Sequence, residues 1–73
     1  MDIKESMIKA LRKKYEADIE EAKATAEVYF QRPVGIGEHP QFIEELDKLV
    51  SKIAEADDKI KTINSHFDDD IPF

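Results

Sequence analysis

The sequence predicts an all-α chain: an antiparallel two-helix hairpin of coiled-coil character that dimerises into a four-helix bundle and ends in a disordered acidic tail. Three observations carry that expectation. Apolar residues recur every three or four positions through two long stretches, a single break containing proline and glycine separates them, and the residues after Phe67 lose the periodicity. At 73 residues, 41% apolar and 38% charged, the chain is one small unit with too little apolar material to close a large core alone. Cysteine is absent, so packing must hold the fold without disulfides or a cysteine-ligated zinc.

The hairpin is expected over residues 1–66, with its first helix over about 2–31. Asp2 and Glu5 have the spacing of a capping box in which Asp replaces Ser or Thr, so the helix begins at once. Ile8, Leu11, Tyr15, Ile19, Ala22, Ala26 and Phe30 follow at spacings of 3, 4, 4, 3, 4 and 4. Eleven residues per three turns is close to the natural twist of an α-helix, which keeps the stripe on one face of a nearly straight helix. Lys9, Arg12, Lys13, Lys14, Glu16, Glu20 and Glu21 lie off the stripe and read as a solvated face. Lys14 and Asp18 form an i,i+4 pair worth roughly a few tenths of a kcal/mol. The basic triplet Arg12-Lys13-Lys14 is followed by acids within one turn, which is too narrow for a phosphate-binding footprint. The Ala-rich residues 22–26 allow another helix to approach closely, and Tyr29 and Phe30 read as core and boundary positions.

Pro33 stops the first helix, and a loop is expected over about 32–39. Its Gly35-Ile36-Gly37 is a weak match to a phosphate loop, because no strand precedes it and no third glycine or Gly-Lys-Ser/Thr follows. His39 falls at the boundary before Pro40, a residue favoured at the first helical position. Metal binding by His39 with Glu38 or His66 lacks an i,i+4 histidine pair or an acidic ligand cluster, so neither a metal nor a cofactor is expected. The turn Val34-Gly35-Ile36-Gly37-Glu38-His39-Pro40 between charged helices resembles small proteins of tailed phages. That likeness implies a source rather than an activity.

The second helix is expected over about 40–65, with Glu44 and Glu45 in its first turn and Lys59 and Lys61 towards its end, as the macrodipole favours. Phe42, Leu46, Leu49, Ile53, Ala56, Ile60, Ile63 and Phe67 alternate at spacings of 4 and 3, a heptad seam flanked by Ile43 and Val50. The pattern weakens at Asn64-Ser65-His66, where fraying is expected. Folding the helices back on each other aligns residues whose numbers sum to about 72. Tyr15 then faces Ala56, Ala26 faces Leu46, Ala22 faces Leu49 or Val50, and Phe30 meets Phe42. Leu11 and Ile8 meet Ile60 and Ile63 at the open end. A lone hairpin would leave Ile3, Met7, Val28, Ile43, Val50 and Tyr29 partly exposed, and such apolar rows call for a second chain, most simply a homodimer.

The candidate site is the tail, Phe67, Asp68, Asp69, Asp70, Ile71, Pro72 and Phe73, expected to be disordered. Phe73 offers an aromatic ring and the α-carboxylate together, which suits a shallow apolar pocket rimmed by one Arg or Lys. Pro72 fixes its own φ and biases Ile71 towards extended geometry, so docking orders less chain. Asp68, Asp69 and Asp70 steer the tip towards a basic ridge, with an attraction that weakens as salt is added.

These seven residues resemble the C-terminal tip of bacterial single-stranded-DNA-binding protein (SSB), although nothing upstream resembles that protein's oligonucleotide-binding barrel. The resemblance implies that the partners are host SSB-tail-binding proteins: repair nucleases, helicases, primase or polymerase-accessory subunits. The tail would then act as a decoy or as a recruiter. Alternatives remain: a solvated end on a helical adaptor that binds through its apolar seam, a tail grafted by an experimenter, or an acidic mimic of DNA. The interleaved Lys and Arg oppose the last.

The formal net charge is −6, half of it from the tail's Asp residues, so no direct nucleic-acid contact is expected. No apolar run approaches a membrane span and the N-terminus lacks a signal-peptide core, so a cytoplasmic location is expected. No Ser-His-Asp or Cys-His arrangement is available, so no enzyme is expected.

Overall fold

A computed structural model of the chain describes residues 2–31 and 41–67. Among the described residues there are two α-helices and no strand: α1 (Ile3–Gln31) and α2 (Gln41–His66). The expected loop over 32–39 and the tail from Asp68 onward lie outside the described residues.

The start of α1 is fixed by its cap. Asp2 Oδ1 accepts the Glu5 N–H at 2.7 Å, and the Asp2 carbonyl accepts the Ser6 N–H at 3.1 Å. A cap of this kind is worth about 1 kcal/mol. The helix ends two residues before Pro33, whose ring disfavours helical geometry at the residue preceding it. In α2, Glu44 lies in the first turn and His66 in the last, where each suits the macrodipole. Residues 64–66, where the sequence pattern weakens, are helical. The helix continues through His66, and the Phe67 N–H still donates to the Ile63 carbonyl at 2.9 Å. Ile63 is buried, so packing one turn back anchors the ladder where the polar sequence alone would not.

The helices run antiparallel, since the Tyr29 ring meets that of Phe42 edge-on at 5.5 Å while Arg12 reaches Asn64 towards the opposite end. A helix of 29 residues is about 43 Å long, and the molecule measures 52 × 21 × 14 Å. It is therefore a single layer, two helices wide and one helix thick. Ala22, Ala26, Ala56 and Ile63 are buried between the helices. Half-buried Ile8, Tyr15, Ile19, Leu46, Leu49, Ile53 and Ile60 flank them. Of the two partners expected for Ala22, Leu49 is half-buried and Val50 lies outside the seam.

The seam of α1 differs from the expected stripe at two positions. Leu11 is 39% exposed and Phe30 60% exposed, whereas their neighbours Arg12 and Tyr29 are half-buried. With those replacements the inward positions are 8, 12, 15, 19, 22, 26 and 29, alternating by four and three as in α2. Both helices thus carry a heptad, the pattern by which two helices stay in register along their length. Two 4-residue steps in succession, from Ala22 through Ala26 to Phe30, rotate the side chain out of the seam; the 3-residue step to Tyr29 brings it back. Phe42 consequently meets Tyr29 rather than Phe30.

Arg12 is accordingly not part of the solvated face. Its Nε and Nη2 donate to Asn64 Oδ1 at 3.1 and 2.8 Å across the two helices. The remaining charges behave as surface charges, with pairs such as Lys14–Asp18 at 3.3 Å and Lys48–Glu45 at 3.1 Å lying within one helix. Each is worth only about 0.2–0.5 kcal/mol.

The close approach at Ala22, which is 2% exposed, yields a direct test. Ala22→Leu should destabilise the hairpin by about 1–3 kcal/mol through overpacking. The same change at exposed Ala24 should stay within about 0.5 kcal/mol. Urea denaturation followed by circular dichroism measures both.

Candidate functional site

Of the residues in the candidate tail, only Phe67 is among those described. It sits immediately past α2, 53% exposed, with its ring 6.3 Å from that of His66. Residues 68–73 lie outside the described residues. Phe67 is nevertheless informative, because its ring forms part of a groove at the open end of the hairpin.

That groove has a volume of about 650 Å³. Ile3, Met7, Leu11, Ile63 and Phe67 contribute its apolar walls, and Lys4 and Lys59 are its charged members. Sequence spacing sets Ile8 and Leu11 against Ile60 and Ile63 at the open end. Ile63 is buried and Ile8 and Ile60 are half-buried there, but the seam position beside Leu11 is taken by Arg12, and Leu11 is 39% exposed. Ile3 and Met7 lie off the heptad, which is the signal that an apolar surface continues beyond the seam there.

Lys59 spans the inner end of the groove. Its Nζ lies 5.5 Å from the centre of the Tyr15 ring and 3.0 Å from Glu55 Oε1. The hydrogen bond to Glu55, then the charge of the same carboxylate, raise its pKa above the ordinary lysine value. Desolvation opposes the shift, and Tyr15 and Asp18 add to it. Lys59 therefore remains a cation at any physiological pH. A smaller hollow of about 380 Å³, lined by Thr25, Tyr29, Glu45, Lys48, Leu49 and Lys52, lies on the same face nearer the other end.

The opposite face is marked by the Arg12–Asn64 pair. Ile43 and Val50 precede Asn64 in steps of seven and so share its edge of α2. Phe30 lies about five turns beyond Arg12 and shares its edge of α1. Ile43, Val50 and Phe30 are all mostly exposed. The hairpin thus has two separate apolar surfaces: a groove with lysines on one face, and the Phe30, Ile43 and Val50 patch on the other, towards the opposite end.

Among the described residues no group of His, Cys, Asp and Glu is placed to hold a metal ion, and no helix is long and apolar enough to cross a membrane. His39 and Glu38, weighed as ligands from sequence, lie outside the described residues. No protein-family model matches the chain, and neither a curated protein nor a solved structure matches it. Function must therefore be argued from the residues themselves.

An open apolar groove should bind an apolar fluorescent probe. Anilinonaphthalene sulfonate is expected to brighten on the folded chain, and Met7→Asp should reduce that signal by roughly half or more while helicity is retained, since Met7 is 64% exposed. Equal fluorescence from both proteins would show that the probe binds elsewhere.

Proposed function

We propose that the chain is a non-enzymatic binding module that displays its C-terminal peptide to proteins carrying a pocket for the SSB tail. The observation that carries this reading is the order of residues in Asp68-Asp69-Asp70-Ile71-Pro72-Phe73: charge first, then a stiffened apolar tip. If Phe73 is the chain end it acts as ring and carboxylate anchor, while Pro72 and Ile71 supply shape and the Asp residues steer approach. The helix continues through His66, which supports the reading because Phe67 and the residues after it follow directly on the helical stem. The partners are host repair nucleases, helicases, primase or polymerase-accessory subunits, met in the bacterial cytoplasm if the chain is phage-encoded. It acts there by blocking their pocket or by recruiting them.

The stem forms a homodimer in this reading, a four-helix bundle closed through the face that bears Phe30, Ile43 and Val50. A face of a body 52 Å long and 21 Å wide can supply the ~800 Å² per partner that a stable interface buries. Such a dimer presents two tips, and a pair of weak ligands gains effective affinity where their spacing fits the target. The exposed patch also supports a second reading, a helical adaptor whose apolar face binds a different helix while the tail only solubilises.

The decisive experiment titrates the full chain, and a form lacking Phe73, against a labelled SSB-tail peptide bound to an SSB-partner enzyme such as exonuclease I. The full chain should displace the peptide, and loss of Phe73 should weaken displacement at least about tenfold without changing helicity. Failure of the full chain on several such enzymes removes the tail from consideration and leaves the adaptor. Separately, sedimentation should give a dimer for the native chain and a monomer for the Ile43→Asp, Val50→Asp double variant. A monomer in both would sink the bundle.

A further inference from the structure

We propose that the open-end groove is a receptor for the chain's own tip, so that Ile71-Pro72-Phe73 folds back between Met7, Leu11 and Ile63 and competes with external partners for the same peptide. This deepens the functional reading above and shares with it the chemistry assigned to the tip.

Three observations commit the groove to this occupant. The first is complementarity. The tip calls for apolar walls with a nearby cation, and the groove combines Ile3, Met7, Leu11, Ile63 and Phe67 with Lys4 and Lys59. In a chain of net charge −6, the charged lining residues of this groove are two lysines, Lys59 being paired with Glu55 at 3.0 Å, so an acidic peptide meets less repulsion there than over most of the protein's remaining surface. The second is continuity, because Phe67 is both a wall of the groove and the residue from which the tail departs.

The third is length. Six residues follow Phe67 and can reach about 20 Å when extended. The groove runs along α2 from Phe67 back to Lys59, a helical rise of about 12 Å. Three residues are enough to reverse a chain, and three more span about 10 Å when extended, within the length of the groove. A volume of about 650 Å³ lies within the ~300–1,000 Å³ typical of ligand pockets.

A tether this short holds the tip at an effective concentration in the millimolar range, so even millimolar intrinsic affinity keeps about half of it docked. The docked fraction is unavailable to a partner. The groove therefore tunes the tip's affinity without touching the target.

The test is methyl NMR on the full chain and on a form ending at Asp70, supplemented by partner titration. Removing the tip should shift the methyl resonances of Met7, Leu11 and Ile63 while leaving those of Ile43 and Val50 in place, and the difference should persist on dilution. Met7→Asp, at an exposed position, should reproduce the undocked Leu11 and Ile63 resonances and raise affinity for an SSB-tail-binding enzyme by about twofold.

Unchanged groove resonances on tip removal overturn the proposal. So does a shift that appears in labelled tip-less chain only when unlabelled full chain is added, since the groove then takes a second copy's tip. Groove resonances of the tip-less chain that move with dilution likewise overturn it, by showing that a second hairpin covers the site. The spectra need no partner enzyme, so failure of self-docking is distinct from failure of the competition assay.

Discussion

The structure depends on how closely two helices can approach at Ala22, Ala26 and Ala56. Small side chains at these levels let the backbones draw together, and the larger Leu46, Leu49, Ile53 and Ile60 occupy the flanks of the seam. That contact is narrow. In a layer 14 Å thick each helix has one neighbour, so only one stripe per helix can leave water, and no large side chain is fully buried among the described residues. Every other apolar residue must stay exposed or find a surface beyond the hairpin. The two apolar faces therefore follow from the architecture itself.

A seam built from alanine and aliphatic residues specifies its register weakly, because neighbouring heptads resemble one another. The Arg12–Asn64 pair supplies what they lack. Sliding the helices by one heptad would remove the Asn64 oxygen from a guanidinium held partly within the seam, leaving a polar group with poorer partners. The edge-on ring pair of Tyr29 and Phe42 marks the other end of the same alignment. Polar specificity near the open end and aromatic packing near the other thus constrain a contact that alanines make close but not unique.

The two-helix architecture was legible because periodicity and the Pro-Gly break are local signals, and the cap at Asp2 was legible because the four residues from Asp2 to Glu5 suffice to write it. The inward face of α1 was harder to read. Leu11 looks like a core residue and Arg12 like a surface one, and hydropathy gives no hint that an arginine can enter a seam when an asparagine waits on the other helix. Adjacent Tyr29 and Phe30 posed the same difficulty, since either aromatic satisfies the composition and only phase distinguishes them. The groove escaped sequence reading for a related reason: it joins Ile3 and Met7, which lie off the α1 stripe, to stripe residues Leu11, Ile63 and Phe67 that the antiparallel fold brings together. Of the candidate tail, position can be assigned to Phe67 alone, and the rest stands on the chemistry of its residue order.

The arrangement separates two tasks that a small chain would otherwise confuse. If the Phe30, Ile43 and Val50 face closes the dimer, the lysine-bearing groove on the other face stays open, and oligomerisation does not compete with tip docking. The geometry of closure then decides what the tips can do. An antiparallel pairing of hairpins sends the tails from opposite ends of a body 52 Å long, where one small target cannot engage both. A parallel pairing sets them side by side, where a target with two adjacent pockets gains by effective concentration. In that reading two-tip avidity and self-docking would oppose each other, since a docked tip is unavailable to a partner. Met7 and Lys59 are exposed and lie off the alanine seam, so a substitution at either would shift that balance without disturbing the contact that holds the stem.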